Sequence, residues 1–260
     1  MFKSKLWFLD PSNTNWQQYI ADQNRDVYQA LAFDGYHIDQ VGNRNHTLYT
    51  YSGQTIDLKA SFGSFINAMK SDQPNKNHVF NAVNQYGQQY IAEAPVNFLY
   101  TEVWGPNDGY KDLATIINDN NAFSGNTKNT VLAAYMNYDL GNSTGFFNTA
   151  GVLLTNAVIF SFGGSHLELG EHMLAKEYFP NDNLQMPGEL RDSMISYYDF
   201  LVAYENLLRD GGISNTPEIS CFDFQFGINK WPPQSGKVSV SGREVGNRQV
   251  IHLINFTSAT

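Results

Sequence analysis

Short apolar runs alternating with longer stretches of helical spacing constrain this chain more than any other feature. The runs occupy residues 6–9, 33–39, 78–84, 96–104 and 130–138, with a weaker one at 163–168. Between them lie segments whose apolar residues recur every three to four positions. Trp16, Tyr19, Ile20, Val27 and Leu31 follow a cap candidate at Asn13 or Thr14, and residues 62–69, 88–93, 110–117 and 149–160 continue the pattern. Strands alternating with helices at this spacing predict repeated strand-helix units and a parallel sheet. The runs are apolar at successive positions, as strands buried on both faces require.

Polar residues gather where the runs end: Asp10, Asp39 with Gln40, Asn84 with Gln85, Glu102, Asn137 with Asp139, and Glu168. In a (β/α)8 barrel the C-terminal strand ends form the active-site rim. An open doubly wound sheet is the structural rival, but no Gly-rich nucleotide fingerprint follows any run, so the α/β barrel ranks first. Six strand candidates fall short of the eight a closed barrel needs. The pattern therefore predicts an incomplete (β/α)8 TIM barrel, about strands three to eight, over residues 1–212. Either the chain is a piece of a larger gene product or it closes in another way. Residues 190–208 read as a long helix stopped by Gly211 and Gly212. Beyond it, residues 238–242 and 249–256 alternate at period two and predict hairpin strands. They assign residues 213–260 to a linker and the start of a β-sandwich domain.

Composition narrows the ligand. Charged residues make up 16% of the chain, below the roughly 25% of an average soluble domain, while aromatics reach 14% and amides are abundant. Amides hydrogen-bond hydroxyls and flat rings stack on apolar faces, which suits neutral polar ligands such as sugars. A net charge of −9 without a basic run argues against nucleic acid, and no apolar stretch is long enough to span a membrane. The single Cys221 rules out a disulfide framework, and the histidines at 46, 78, 166, 172 and 252 lack paired ligand spacing, so no metal is expected. The first residues carry no signal-peptide pattern.

Asp39 and Glu102 are the sharpest candidates for chemistry. Each ends a run, two strand-helix units apart, and two carboxylates facing one cleft are the usual equipment for cleaving a glycosidic bond. The alternative is that such acids cap helices or form ion pairs. Asp34 competes with Asp39 but lies near the start of its run, so Asp39 is preferred. His37, two residues before Asp39, shares its face and either binds a sugar hydroxyl or the nucleophile, or is a satisfied interior side chain. Gln40, Asn137, Asp139 and Glu168 are candidates for binding hydroxyls, and Trp104, Tyr138 and Tyr36 for stacking on sugar rings.

The stretches Phe33-Asp34-Gly35-Tyr36-His37-Ile38-Asp39-Gln40-Val41-Gly42 and Tyr100-Thr101-Glu102-Val103-Trp104 resemble the nucleophile and acid/base strands of glycoside hydrolase family 66. That family contains dextranases and cycloisomaltooligosaccharide glucanotransferases. Asp10-Pro11-Ser12-Asn13 and Gly163-Gly164-Ser165-His166-Leu167-Glu168-Leu169-Gly170 add to the likeness, which extends over nearly the whole chain. The resemblance implies a retaining barrel enzyme acting on α-1,6-linked glucan or isomaltooligosaccharides, with Asp39 as nucleophile and Glu102 as general acid/base. It implies no cofactor and no particular oligomeric state. In the family the transferases carry an extra carbohydrate-binding module after the seventh strand. Here only residues 140–148 separate the fifth run from the next helix, which favours hydrolysis over cyclising transfer. A non-catalytic glucan-binding barrel is the remaining alternative, and retention of both carboxylates argues against it. A polymeric substrate too large to import points to an extracytoplasmic or secreted location.

Overall fold

The computed structural model describes residues 7–39, 42–135, 139–167, 183–222 and 226–257. The chain divides into two compact units, Met1–Thr101 with Phe123–Lys128, and Glu102–Ala122 with Asn129–Thr260.

The first unit opens with helix α1 (Thr14–Ala30), started by Asn13, whose side chain accepts hydrogen bonds from the Asn15 and Trp16 amides. Strand β1 (Gly35–Ile38) follows, then a small hairpin of β2 (Leu48–Tyr49) and β3 (Thr55–Ile56). Helix α2 (Leu58–Asp72) is capped by Asp57 and buries Leu58, Phe62, Phe65, Ile66 and Met69, a stripe at helical spacing. Strand β4 (Asn77–Phe80) lies parallel to β1, with Ile38 opposite Phe80. Helix α3 (Gln88–Glu93) ends on the Ala92 and Ala94 carbonyls, which accept from the Lys128 ammonium at 2.6 and 2.5 Å. Strand β5 (Leu99–Val103) begins in this unit, where Asn81 bridges to Tyr100 in parallel. Phe62, Ile66, Phe80, Ile91 and Leu99 form the centre of its core.

The second unit takes over within β5. It contains α4 (Tyr110–Phe123) up to its final residue, β6 (Thr130–Ala134), β7 (Gly145–Phe146), α5 (Thr149–Ser161), β8 (Ser165–His166) and β9 (Leu184–Gln185). Strands β5, β6 and β8 form one sheet in that order, with β6 and β8 parallel. Asn148 caps α5 by accepting from the Gly151 amide, and α5 is buried on several sides, as its apolar composition requires. Helix α6 (Gly188–Ala203) is followed by α7 (Glu205–Leu208). Four strands close the chain: β10 (Ile213–Ser214), β11 (Gly227–Lys230), β12 (Lys237–Val245) and β13 (Arg248–Asn255). Strands β12 and β13 form a hairpin whose two-residue turn holds Gly246 at φ 61°, the positive φ such turns need. Strand β11 joins β12 in parallel and β10 joins it antiparallel.

The α/β class expected from the sequence is present, and no closed barrel forms among the described residues. Three local expectations change. Residues 7–9 belong to no strand, and Trp7 is 82% exposed; an apolar run becomes a strand only where a neighbour supplies ladder bonds. The run at 78–84 gives a strand to Phe80 and a single bridge at Asn81, and beyond them Asn84 and Gln85 turn the chain with left-handed φ values of 48° and 63°. The single helix expected over 190–208 is two, parted at Tyr204, whose ψ of 17° leaves the helical path.

Candidate active site

Strand alternation dictates where the first unit places its polar groups. In β1, Tyr36 packs against the core and Ile38 is buried in it, so His37 and Asp39 face the other way and are exposed. The His37 ring meets Tyr100 edge-on at 5.2 Å. Asp39 follows β1 directly, and the parallel register that pairs Ile38 with Phe80 brings Asn81 beside it. The Asn81 amide donates to Asp39 Oδ1 at 2.8 Å. Thr101, in β5, donates its hydroxyl to the Gln85 side-chain oxygen at 3.1 Å. Asn84 and Gln85, both held at positive φ, thus follow the end of β4, and backbone in that region persists only where the surroundings impose it. A cavity of about 700 Å3 in this unit is lined by Trp16, Tyr36, Ile38, Asp39, Phe62 and Phe80, among others.

In the second unit Glu102 is half-buried in β5, and the Tyr135 hydroxyl, one residue past β6, donates to its Oε1. The Trp104 ring lies 4.8 Å from that of Tyr135 at an angle of 42°. Both rings, together with Asp108, Tyr110, Asp139 and Asn148, line a cavity of about 660 Å3. Aromatic faces mixed with carboxylate and amide groups make a wall that can stack on one face of a sugar and bond its hydroxyls. His166 is buried, with Nε2 donating to the Ala134 carbonyl at 3.0 Å and Nδ1 2.8 Å from the Asn156 side-chain oxygen.

Of the residues singled out in the sequence, Asp39 and His37 lie in the first unit and Glu102, Trp104 and Asp139 in the second. Gln40, Asn137, Tyr138 and Glu168 lie outside the described residues. Asp10 is engaged locally, accepting from the Ser12 amide and hydroxyl at 2.9 and 2.7 Å. Asn81 and Tyr135 escaped sequence reading, although each directly follows a strand and the rule applied to the acids would have found them. Among the described residues, no group of three or more His, Cys, Asp or Glu side chains could hold a metal ion, and no helix is long and apolar enough to cross a membrane.

Strand-end carboxylates engaged by neutral donors are groups that glycoside hydrolases also use. The chain belongs to glycosyl hydrolase family 66, whose sequence profile matches residues 1–260. Two cycloisomaltooligosaccharide glucanotransferases from Niallia circulans are 26% and 25% identical over 390 and 388 residues, covering 97% and 96% of this chain. A dextranase from Streptococcus salivarius is 28% identical over 252 residues, covering 81% of this chain. The chain spans 40% of the length of each glucanotransferase and 30% of that of the dextranase. The crystal structure of a cycloisomaltooligosaccharide glucanotransferase from Paenibacillus sp., complexed with cycloisomaltoheptaose, matches with a TM-score of 0.83 over 96% of this chain and 55% of that one. At 22% identity that likeness is one of fold.

Proposed function

We propose that the chain carries the catalytic region of a retaining endo-hydrolase of α-1,6-linked glucan. The observation that carries the reading is the placement of Asp39 and Glu102 at strand ends within a chain matched along its whole length by family 66. In this reading residues 1–212 supply about strands three to eight of a (β/α)8 barrel and residues 213–260 begin a β-sandwich. An Asp39 oxygen attacks the anomeric carbon while Glu102 gives its proton to the departing O6, so that the C1–O6 bond breaks as a glycosyl ester forms. Water then attacks C1 and passes its proton to Glu102, and Asp39 leaves as carboxylate. Trp104 and Asp139 bind the glucan beside Glu102, and His37 beside Asp39. Gln40, Asn137 and Glu168 contribute further hydroxyl contacts. The substrate is dextran or isomaltooligosaccharide, nucleic acid and membrane have no part, and the location is extracytoplasmic.

Hydrolysis is favoured over cyclising transfer on two grounds. The alignments to the glucanotransferases run over 390 and 388 residues although this chain has 260, so each transferase carries more than a hundred residues without a counterpart here. The dextranase alignment, over 252 residues with 81% of this chain, leaves a much smaller excess. Residues 140–148 also hold only a 3-10 turn, the short β7 and the cap of α5, leaving no space for a module.

The test is dextran digestion by this chain and by one extended at its N-terminus. Linear isomaltooligosaccharides released with α configuration are expected; cyclic sugars as main product, or inversion, would overturn the reading. Glu102→Gln should lower turnover by roughly 10²- to 10⁴-fold while dextran binding persists. Unchanged turnover in that variant would remove Glu102 from the role given it.

A further inference from the structure

The geometry points to Asn81 as a positioning residue for Asp39, one that both fixes the attacking carboxylate and stabilises its charge when the glycosyl ester breaks. The inference rests on the assignment of Asp39 as nucleophile.

Asn81 is only 2% exposed, and its backbone is held from both sides. Its amide donates to the Ile38 carbonyl at 2.8 Å, it bridges to Tyr100 in parallel, and the next amide, of Ala82, donates to the Tyr100 carbonyl at 3.2 Å. Phe80 and Ala82 on either side are buried, so the residue cannot swing without disturbing the core. From this fixed base the side chain reaches Asp39 Oδ1 at 2.8 Å. An ionised carboxylate can only accept, which turns the NH2 end of the amide towards it. Asp39 is exposed and directly follows β1, so a donor on a rigid base narrows the orientations its carboxylate can take. Attack on C1 uses one oxygen, and a donor on the other restricts the carboxylate's torsion, so the nucleophile is aimed before substrate arrives.

Charge makes a second demand. When the ester forms, Asp39 loses its negative charge, and when water cleaves the ester the charge returns. A fixed donor at Oδ1 is worth more to the carboxylate than to the ester, so it lowers the barrier of the second step. Removing it should therefore slow breakdown of the intermediate more than its formation. A side chain that only fastened β1 to β4 would not change that ratio.

The experiment uses a 5-fluoro-α-isomaltosyl fluoride, from which Asp39 displaces fluoride to form a slowly hydrolysed ester. Formation and decay are followed by intact mass on the active form of the protein, and the labelled peptide is sequenced. Both rates are first-order per labelled molecule, so a partly unfolded preparation does not distort them. Asn81→Ala and the similarly sized Asn81→Leu are compared with the parent. The expected result is a label on Asp39 in all three, with decay slowed about 10- to 100-fold in both variants and formation slowed less, the size expected for a hydrogen bond to a charged group. A label on Asp39 with an unchanged ratio of the two rates overturns the role of Asn81 alone. A label on another carboxylate overturns the assignment of Asp39, and this inference with it.

Discussion

Replacing Tyr135 by Phe removes the hydrogen bond that Glu102 receives from the residue following β6. The phenol donates to Glu102 Oε1, while its ring packs against Trp104 at 4.8 Å, a contact that Phe retains. A bond to an ionisable carboxylate contributes about 1.5–3 kcal/mol, and half-burial of Glu102 puts the expected loss near the middle, about 2 kcal/mol. With Glu102 as the general acid proposed above, this barrier increase is roughly 30-fold in turnover on dextran, whose glucosyl O6 must be protonated to leave. A 4-nitrophenyl α-isomaltoside leaves as a stable phenolate and does not need that proton. The same variant should therefore lose only about 2- to 3-fold on the aryl substrate. Initial rates on both substrates, with a thermal melt to show that the ring contact keeps the fold intact, make the comparison. Equal losses on the two substrates would refute the idea that Tyr135 aims Glu102, whatever their size.

Two further predictions concern stability. Burial, reinforced by the positive charge of Arg243, pushes the His252 imidazole down from 6.5 to about 4, so the folded state holds it neutral. Its contribution is fully present above pH 6.5 and is lost as pH falls towards 4, because the unfolded chain takes up the proton first. The size is up to about 3 kcal/mol. Urea midpoints at pH 7 and pH 4.5 should diverge less in His252→Leu than in the parent, with a residual slope from His78, also lowered by burial and by Lys70; parallel behaviour of the two proteins would contradict this. In the first unit, Gly87 has φ 75° and precedes α3, and a Cβ there would lie 2.7 Å from Phe62 Cδ2. Gly87→Ala should destabilise by about 2–4 kcal/mol through a disfavoured backbone and overpacking, read as a lower urea midpoint, and a change under about 0.5 kcal/mol would count against that account.

Much of the fold was legible because local rules act on neighbouring residues. The cap at Asn13, the helical stripe from Phe62 to Met69 and the period-two strands β12 and β13 depend on spacings within one element. So did the placement of both carboxylates, since an acid after an apolar run lands at a strand end. What a run pairs with is not local. The segment at 7–9 has the composition of a strand and no ladder, and β11, which the period-two pattern missed, owes its existence to Lys237–Val240 lying beside it.

The same divide runs through the candidate site. By itself the sequence determined the alternation of strands and helices, the family, and Asp39 and Glu102 as the residues to watch, because these follow from periodicity and motif. Only the tertiary structure decided what touches them. Asn81 reaches Asp39 across 42 positions and Tyr135 reaches Glu102 across 33. Each contact depends on the register and placement of neighbouring strands. Strand pairing is selected by the packing of a whole core, which no single stretch of sequence contains.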